Sequence, residues 1–260
     1  MQKWLLLIPL LILLCPELHA ETPEEKGYAI AVEADKRDNG WGDQVADMVM
    51  ILRNKQGEES RRTLHISTLE VQGDGDKSLT IFDEPRDIKG TAFLSFTHPL
   101  TPDDQWLYLP ALKRVKRISS ANKSGPFVGS EFAYEDLTSQ EIEKYSYKWL
   151  RDEELDGKKC FVIERIPAYE HSGYTRQIAW IDQEIYRPLK VEFYDRKNAL
   201  LKTLTIKGYK KYLDKYWRPD SMLMVNHQTG KETELIWKNY KFNNGLTDRD
   251  FDQNTLKRSR

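Results

Sequence analysis

Outside the first twenty residues the chain carries four histidines, His65, His98, His171 and His227. They are the first candidates for acid–base or metal chemistry. No two are four residues apart and no HExxH occurs, so no helix presents a ready zinc pair. Cys160 stands in an apolar run with no base near it in sequence, the setting of a buried inert thiol rather than a nucleophile. Neither a GxSxG elbow nor a phosphate-binding GxxxxGKS or GxxxxGKT loop is present. Asp74-Gly75-Asp76 contains the start of a calcium-loop pattern, but the later ligands are missing and it reads as a turn. Carboxylate pairs such as Asp103-Asp104 are too common in a chain that is 31% charged to indicate glycoside chemistry. The expectation is a protein that is not an enzyme and that uses no cofactor or metal.

What remains is binding chemistry. Lys113-Arg114-Val115-Lys116-Arg117 is the densest positive cluster. On a strand, Arg114 and Lys116 share one face, and Lys113, Val115 and Arg117 share the other. Arg114 and Arg117 are therefore candidates for contact with an anionic head group or a partner, because the guanidinium fork binds phosphate or carboxylate in a bidentate manner. The competing reading is a solvated edge strand that uses Lys and Arg to block aggregation. Met48, Met50, Met222 and Met224 are apolar and adaptable, which suits either a permissive apolar site or ordinary core filling.

These residues must be positioned by a chain of 260 residues with 39% hydrophobic and 11% aromatic content. That is enough apolar side chain for a core, and disorder is excluded. A net charge of −1 gives no global attraction to phosphate, so no nucleic-acid partner is expected. Two cysteines cannot make a disulfide scaffold.

The opening MQKWLLLIPLLILLCPELHA reads as a signal peptide. Lys3 forms the positive region, and the apolar run from Trp4 to Cys15 is about a dozen residues, shorter than the roughly 20 a spanning helix needs. Ala20 ends a small-residue cleavage site. Removal of residues 1–20 would leave a single domain over 21–260, with Cys160 alone and no intramolecular disulfide. An uncleaved anchor is one alternative. Lipidation at Cys15 is another, weakened by Leu14, since that processing wants a small residue there.

Pro23 to Asp38 has helical character, with Pro23 and two glutamates in the first turn and Asn39-Gly40 as a stop. Ala46 to Arg53 and Arg61 to Val71 read as a hairpin. Thr138-Ser139-Gln140-Glu141 is a capping-box pattern that predicts a helix to about Leu150. Strand-like runs with short turns fill the rest, which implies antiparallel pairing. Met48 to Leu52, Trp106 to Leu109, Cys160 to Ile163 and Met222 to Val225 are apolar at consecutive positions and need both faces covered. Two or three helices are too few to cover them all, and the surplus points to an enclosed apolar space or to an ordinary core with a few exposed hydrophobes.

Lys89-Gly90-Thr91-Ala92-Phe93-Leu94, the stretch from Asp104 to Ile118 (DQWLYLPALKRVKRI) and the stretch from Phe127 to Leu137 (FVGSEFAYEDL) resemble the outer-membrane lipoprotein-sorting protein family, a LolA-like group. The resemblance covers essentially the whole mature chain. It implies an α+β fold: a large curved antiparallel sheet of about ten or eleven strands, an incomplete β-barrel, with two or three helices plugging its concave side. It also implies a periplasmic role in carrying the acyl chain of a lipid or lipoprotein, with an inner-membrane exporter or an outer-membrane acceptor as partner. On that expectation Met48, Met50, Phe93, Trp106, Tyr108, Met222 and Met224 would line the cavity. An interaction module without cargo, such as a pump subunit or an envelope-stress sensor, is the second expectation.

Overall fold

The computed structural model describes residues 20–256, so all but the last residue of the expected signal segment, 1–20, lies outside the described residues. The described chain enters through helix α1, Pro23–Asp38, with the bounds expected from the sequence. Thr22 caps it. Thr22 Oγ1 accepts from the Glu25 amide at 3.2 Å, and the Thr22 amide donates to Glu25 Oε2 at 2.8 Å. This reciprocal pair satisfies two donors that the first turn would otherwise leave unpaired. The inward face of α1 is small: Gly27 and Ile30 are buried, and Ala31 packs beside them. Gly27 is required there, because a Cβ would sit 2.6–2.8 Å from backbone atoms of Lys148 and Trp149.

Fifteen strands follow: β1 (Asp43–Arg53), β2 (Glu59–Leu69), β3 (Lys77–Glu84), β4 (Ala92–Phe96), β5 (Asp104–Leu109), β6 (Arg114–Ile118), β7 (Tyr145–Leu155), β8 (Lys158–Pro167), β9 (Arg176–Asp182), β10 (Pro188–Tyr194), β11 (Leu200–Lys207), β12 (Lys210–Tyr212), β13 (Tyr216–Arg218), β14 (Ser221–Asn226) and β15 (Glu232–Phe242). A short helix α2, Gln253–Leu256, ends the described chain. Thirteen strands form one antiparallel sheet in the order β6-β5-β4-β3-β2-β1-β15-β14-β11-β10-β9-β8-β7, and β12 and β13 form a separate ribbon. The sheet exceeds the ten or eleven strands expected. It is open, since β6 and β7 each have one neighbour.

Laid flat, such a sheet would span about 60 Å at roughly 4.8 Å per strand. Instead, residues from both halves meet in one buried cluster: Met48, Leu64, Phe82, Phe93 and Leu107 from one half, Tyr147, Ile163, Ala179 and Val191 from the other. One face of the sheet therefore curls round a common core. The hairpin of β1 and β2 sets the pattern, with Met48 opposite Leu64 and Met50 opposite Arg62.

The concave side is filled by α1 and by an irregular segment between β6 and β7 that contains four short 3-10 turns, at Ser120–Asn122, Phe127–Gly129, Tyr134–Leu137 and Ile142–Lys144. This corrects the expected central helix. Thr138 Oγ1 donates to the Glu135 carbonyl and Ser139 Oγ donates to Glu141 Oε1, so the capping pattern is used up in a turn. From Tyr145 the chain is already strand β7.

Two of the four consecutive apolar runs, 106–109 and 160–163, also have a simpler origin than an enclosed space. The outer face carries two clusters of its own. Leu79, Ala92 and Leu94, with Trp106 and Tyr108 packed on them, are covered by Phe251 and Leu256 of the C-terminal segment. Cys160, Val162, Ile178 and Trp180 form the second.

Candidate functional site

The concave side divides into a filled half and a hollow half. Over β1 to β5, Phe127 and Tyr134 of the irregular segment enter the core. Phe127 lies 5.9 Å from Phe82 and 5.2 Å from Phe93 between ring centroids, and Tyr134 lies 5.4 Å from Phe93. Polar bonds hold this plug. Arg62 Nη1 donates to the Val128 carbonyl at 2.6 Å. Lys202 Nζ donates to Asp136 Oδ2 at 2.7 Å, with both side chains buried. Glu135 accepts from Tyr169, Ser172 and the Gly173 amide.

On the other side, between α1 and strands β7 to β10, lies a cavity of about 400 Å³. That volume is within the usual range for small-molecule sites, about 300–1,000 Å³. Ile30, Ala31 and Ala34 of α1 form one wall, Tyr147, Ile163 and Ile181 of the sheet the other. The turn after β2 and the residues Ser139 to Glu143 close its sides. These two facing patches are apolar because α1 presents small residues at spacings of three and four, and because Ile163 and Ile181 are the inward positions of β8 and β9, whereas more than half of the remaining lining is polar.

Carboxyl groups ring this cavity, and three of them are held in the ionised form's bonding pattern. Glu70 accepts from the Gly40 and Gly42 amides at 2.6 and 2.7 Å. Asp38 pairs with Arg187 at 3.0 Å and Arg218 at 2.7 Å. Burial acts against ionisation of Asp74, but its bond to His98 Nδ1 and the Gly75 amide hold its carboxyl below the usual range. Asp35, Asp76 and Glu141 behave oppositely. Burial pushes Asp35 and Glu141 up, and it pushes Asp76 up to about 7, with the neighbouring Glu141 charge adding to the effect.

Two arginines also face this space. Arg165 on β8 is 5% exposed and Arg187 precedes β10. Burying arginine on the inward face of a strand is unusual. The signal is present in the sequence as Phe161-Val162-Ile163-Glu164-Arg165, where the inward alternation runs Phe, Ile, Arg, but a lone basic residue in a strand forms no cluster.

None of the residues expected to form the site lines this cavity. Met48, Met50, Phe93 and Met224 are 0–4% exposed in the shared core, filled against the plug, and Met222 packs on that core. Trp106 and Tyr108 lie on the outer face under the C-terminal segment. Arg114 and Arg117 sit on β6, the free edge of the sheet, with Arg117 bonded to Asp104. Charge at an open edge opposes strand addition by another chain, and the strip does not meet the cavity. Among the described residues no group of three or more potential ligands is placed to hold a metal ion, and no helix is long and apolar enough to cross a membrane.

A family model described as that of an uncharacterized protein matches residues 74–258. No curated protein matches the chain. Among solved structures, the chain is similar to one described as an outer membrane lipoprotein-sorting protein domain from Vibrio parahaemolyticus, with 62% identity, a TM-score of 0.89, and coverage of 90% of this chain and 99% of that one. A DUF1329 family protein from Desulfovibrio piger shares 29% identity at a TM-score of 0.86, over 90% of this chain and 99% of that one. A LolA superfamily protein from Nitrosomonas europaea, 21% identical with a TM-score of 0.71 over 88% of this chain and 98% of that one, shares the fold.

Proposed function

Since this chain belongs to the outer-membrane lipoprotein-sorting protein family, we propose that it is a periplasmic carrier that holds the acyl chain of a lipid or lipoprotein in the cavity beneath α1. The observation that supports this reading is the hollow itself: about 400 Å³, walled by Ile30, Ala31, Ala34, Ile163 and Ile181, under a helix that rests on the sheet with few large apolar contacts.

Transfer energetics favour such a site. A fully buried sixteen-carbon chain gains roughly 12 kcal/mol at about 0.8 kcal/mol per CH₂. A carrier must match part of that and still let go. A cavity of this size with a partly polar rim takes only some of the chain, so the cargo stays exchangeable. α1 is the movable part. At its first turns it is held by surface contacts: Lys148 on Glu24 at 3.0 Å and Lys26 Nζ over the Trp149 ring at 3.6 Å. Exposed pairs of this kind contribute little, about 0–1 kcal/mol. The partner would be an inner-membrane exporter or an outer-membrane acceptor that lifts α1.

Native mass spectrometry of protein isolated from its own envelope tests the reading. The expected result is a lipid or lipoprotein adduct, lost in Ala31→Trp, which fills the cavity from α1. An adduct that survives the filled variant places the ligand elsewhere. An empty cavity together with capture of a membrane-pump or stress-signalling protein replaces the carrier reading by that of an interaction module.

A further inference from the structure

Across the concave face, one row of the sheet runs Tyr147, Arg165, Gln177, Phe193 in register. Its two central members are polar and buried, Arg165 at 5% and Gln177 at 2% exposure. Both carry unpartnered atoms: Arg165 Nε and Nη2, and Gln177 Oε1. Arg187, facing the same cavity, leaves its own Nε unpartnered.

The identity of the free donors matters more than their number. Arg165 Nη1 is used, donating to Gln140 Oε1. The guanidinium carbon lies 5.7 Å from the centroid of the Tyr145 ring. What is left is Nε with Nη2, the side-on edge of the guanidinium, whose two parallel N–H groups match the two oxygens of a carboxylate or phosphate. Buried cations are normally paired, and an unpaired one is strongly unfavourable unless something else supplies the counter-charge. Among the described residues, no carboxylate bonds to Arg165. Opposite Arg165 in the β8–β9 ladder, Gln177 Oε1 is an unpartnered acceptor that suits a hydroxyl or a singly protonated phosphate.

We infer that the Arg165 fork, with Gln177 beside it, receives the anionic oxygens of an amphiphile, carboxylate or phosphate, whose hydrocarbon lies in the cavity beneath α1. This rests on the carrier reading and adds to it the charge class of the cargo. The acids around the cavity do not oppose it. Glu70, Asp38 and Asp74 are already bonded to amides, arginines and His98, and burial favours the neutral form of Asp35, Asp76 and Glu141, with Asp76 pushed up to about 7.

The test uses the full exported chain, stripped of lipid, and two fluorescent probes with one tail: cis-parinaric acid and its methyl ester. The acid is expected to bind at least ten-fold more tightly than the ester. Arg165→Gln is expected to lower acid affinity about ten-fold while moving the ester by no more than two-fold. Arg165→Lys, which keeps the charge but not the fork, should lose most of the same preference, and it serves as the reading should Arg165→Gln fail to fold. Equal binding of acid and ester by the natural protein overturns the head-group inference and leaves the carrier reading standing. Binding of neither probe overturns the carrier reading itself. Competition separates the sources of the anion: palmitoyl lysophosphatidic acid should displace the acid probe at micromolar concentration. Displacement by inorganic phosphate at that same concentration overturns the assignment to an amphiphile.

Discussion

Arg165 and Asp76 show how single side chains in this cavity set aside stability. Two unpartnered buried donors on Arg165 each cost about 1–3 kcal/mol, against about 1 kcal/mol for the bond to Gln140 that would be lost with the side chain. Arg165→Met should therefore raise the urea midpoint of the ligand-free protein, and a fall would show that the guanidinium is satisfied by groups inside the fold. For Asp76, the ordinary value is 3.8 and the folded value is about 7. Below about pH 4 the carboxyl is neutral folded and unfolded, and it adds nothing. As pH rises from there to about 7, the unfolded chain releases the proton and the folded one keeps it, so this group lowers stability over that window. Asp76→Asn should melt higher than the natural protein at pH 8 and equal to it at pH 3.5, as measured by thermal unfolding across pH. An equal gain at both pH values would mean the effect is packing, not ionisation. At this scale the sequence was half readable. Cys160 reads correctly as buried from its apolar neighbours. Arg165 does not stand out, because an inward-facing arginine and an outward-facing one look alike until the alternation of the whole strand is fixed.

Between elements, the contact that governs the cavity is α1 on β7. A Cβ at Gly27 would meet the backbone of Lys148 and Trp149 at 2.6–2.8 Å, and backbone cannot step aside as a side chain can. Gly27→Val should lift the first turns of α1, cost about 1–3 kcal/mol as overpacking does, and speed probe release measured by stopped flow. Release at the natural rate would separate α1 from gating. The far end of α1 is held differently, by Asp38 between Arg187 and Arg218 with those arginines 16% and 10% exposed. Asp38→Ala leaves both cations without that partner and should destabilise the protein by several kcal/mol. An unfolding midpoint within 1 °C of natural, on the scale where about 1 kcal/mol moves a domain of this size by roughly 2–4 °C, would count against the clamp. The helix itself was plain in the sequence, since Pro23, the paired glutamates and Asn39-Gly40 are local signals and Ala-rich residues lie between them. The expected central helix failed for an equally local reason. Thr138 and Glu141 have the right spacing, but Tyr145-Ser146-Tyr147-Lys148-Trp149 alternates with period two, and pairing of β7 along β8 outweighs one capping pattern.

For the molecule as a whole, the sheet is two halves joined by one strand. β15 pairs with β1 on one side and β14 on the other, and among the described residues no other strand links the halves. A chain ending at Gly230 should therefore fail to fold as one body and lose cooperative unfolding, and it also strips Phe251 and Leu256 from the Leu94 and Trp106 face of the sheet. A single sharp transition in that truncated chain would refute the bridging role of β15. Strand alternation and short turns in the sequence announce an antiparallel sheet. They do not announce its order, because β1 and β15 are far apart in sequence and pair through contacts that no local pattern records. The same holds for the cavity, which forms only where α1, the turn after β2 and the strands of the second half converge. The residues that looked most suited to grip an acyl chain, Met48, Phe93 and Met224, were instead spent on the core because the plug with Phe127 and Tyr134 reaches them first.

The position of β15 also dictates an order of events. β1 and β14 are joined only through Glu232–Phe242, so the seam between the two halves of the sheet closes long after β1 has been made. Until then β1 and β14 each present an unpaired edge, and the sheet exists as two ladders rather than one.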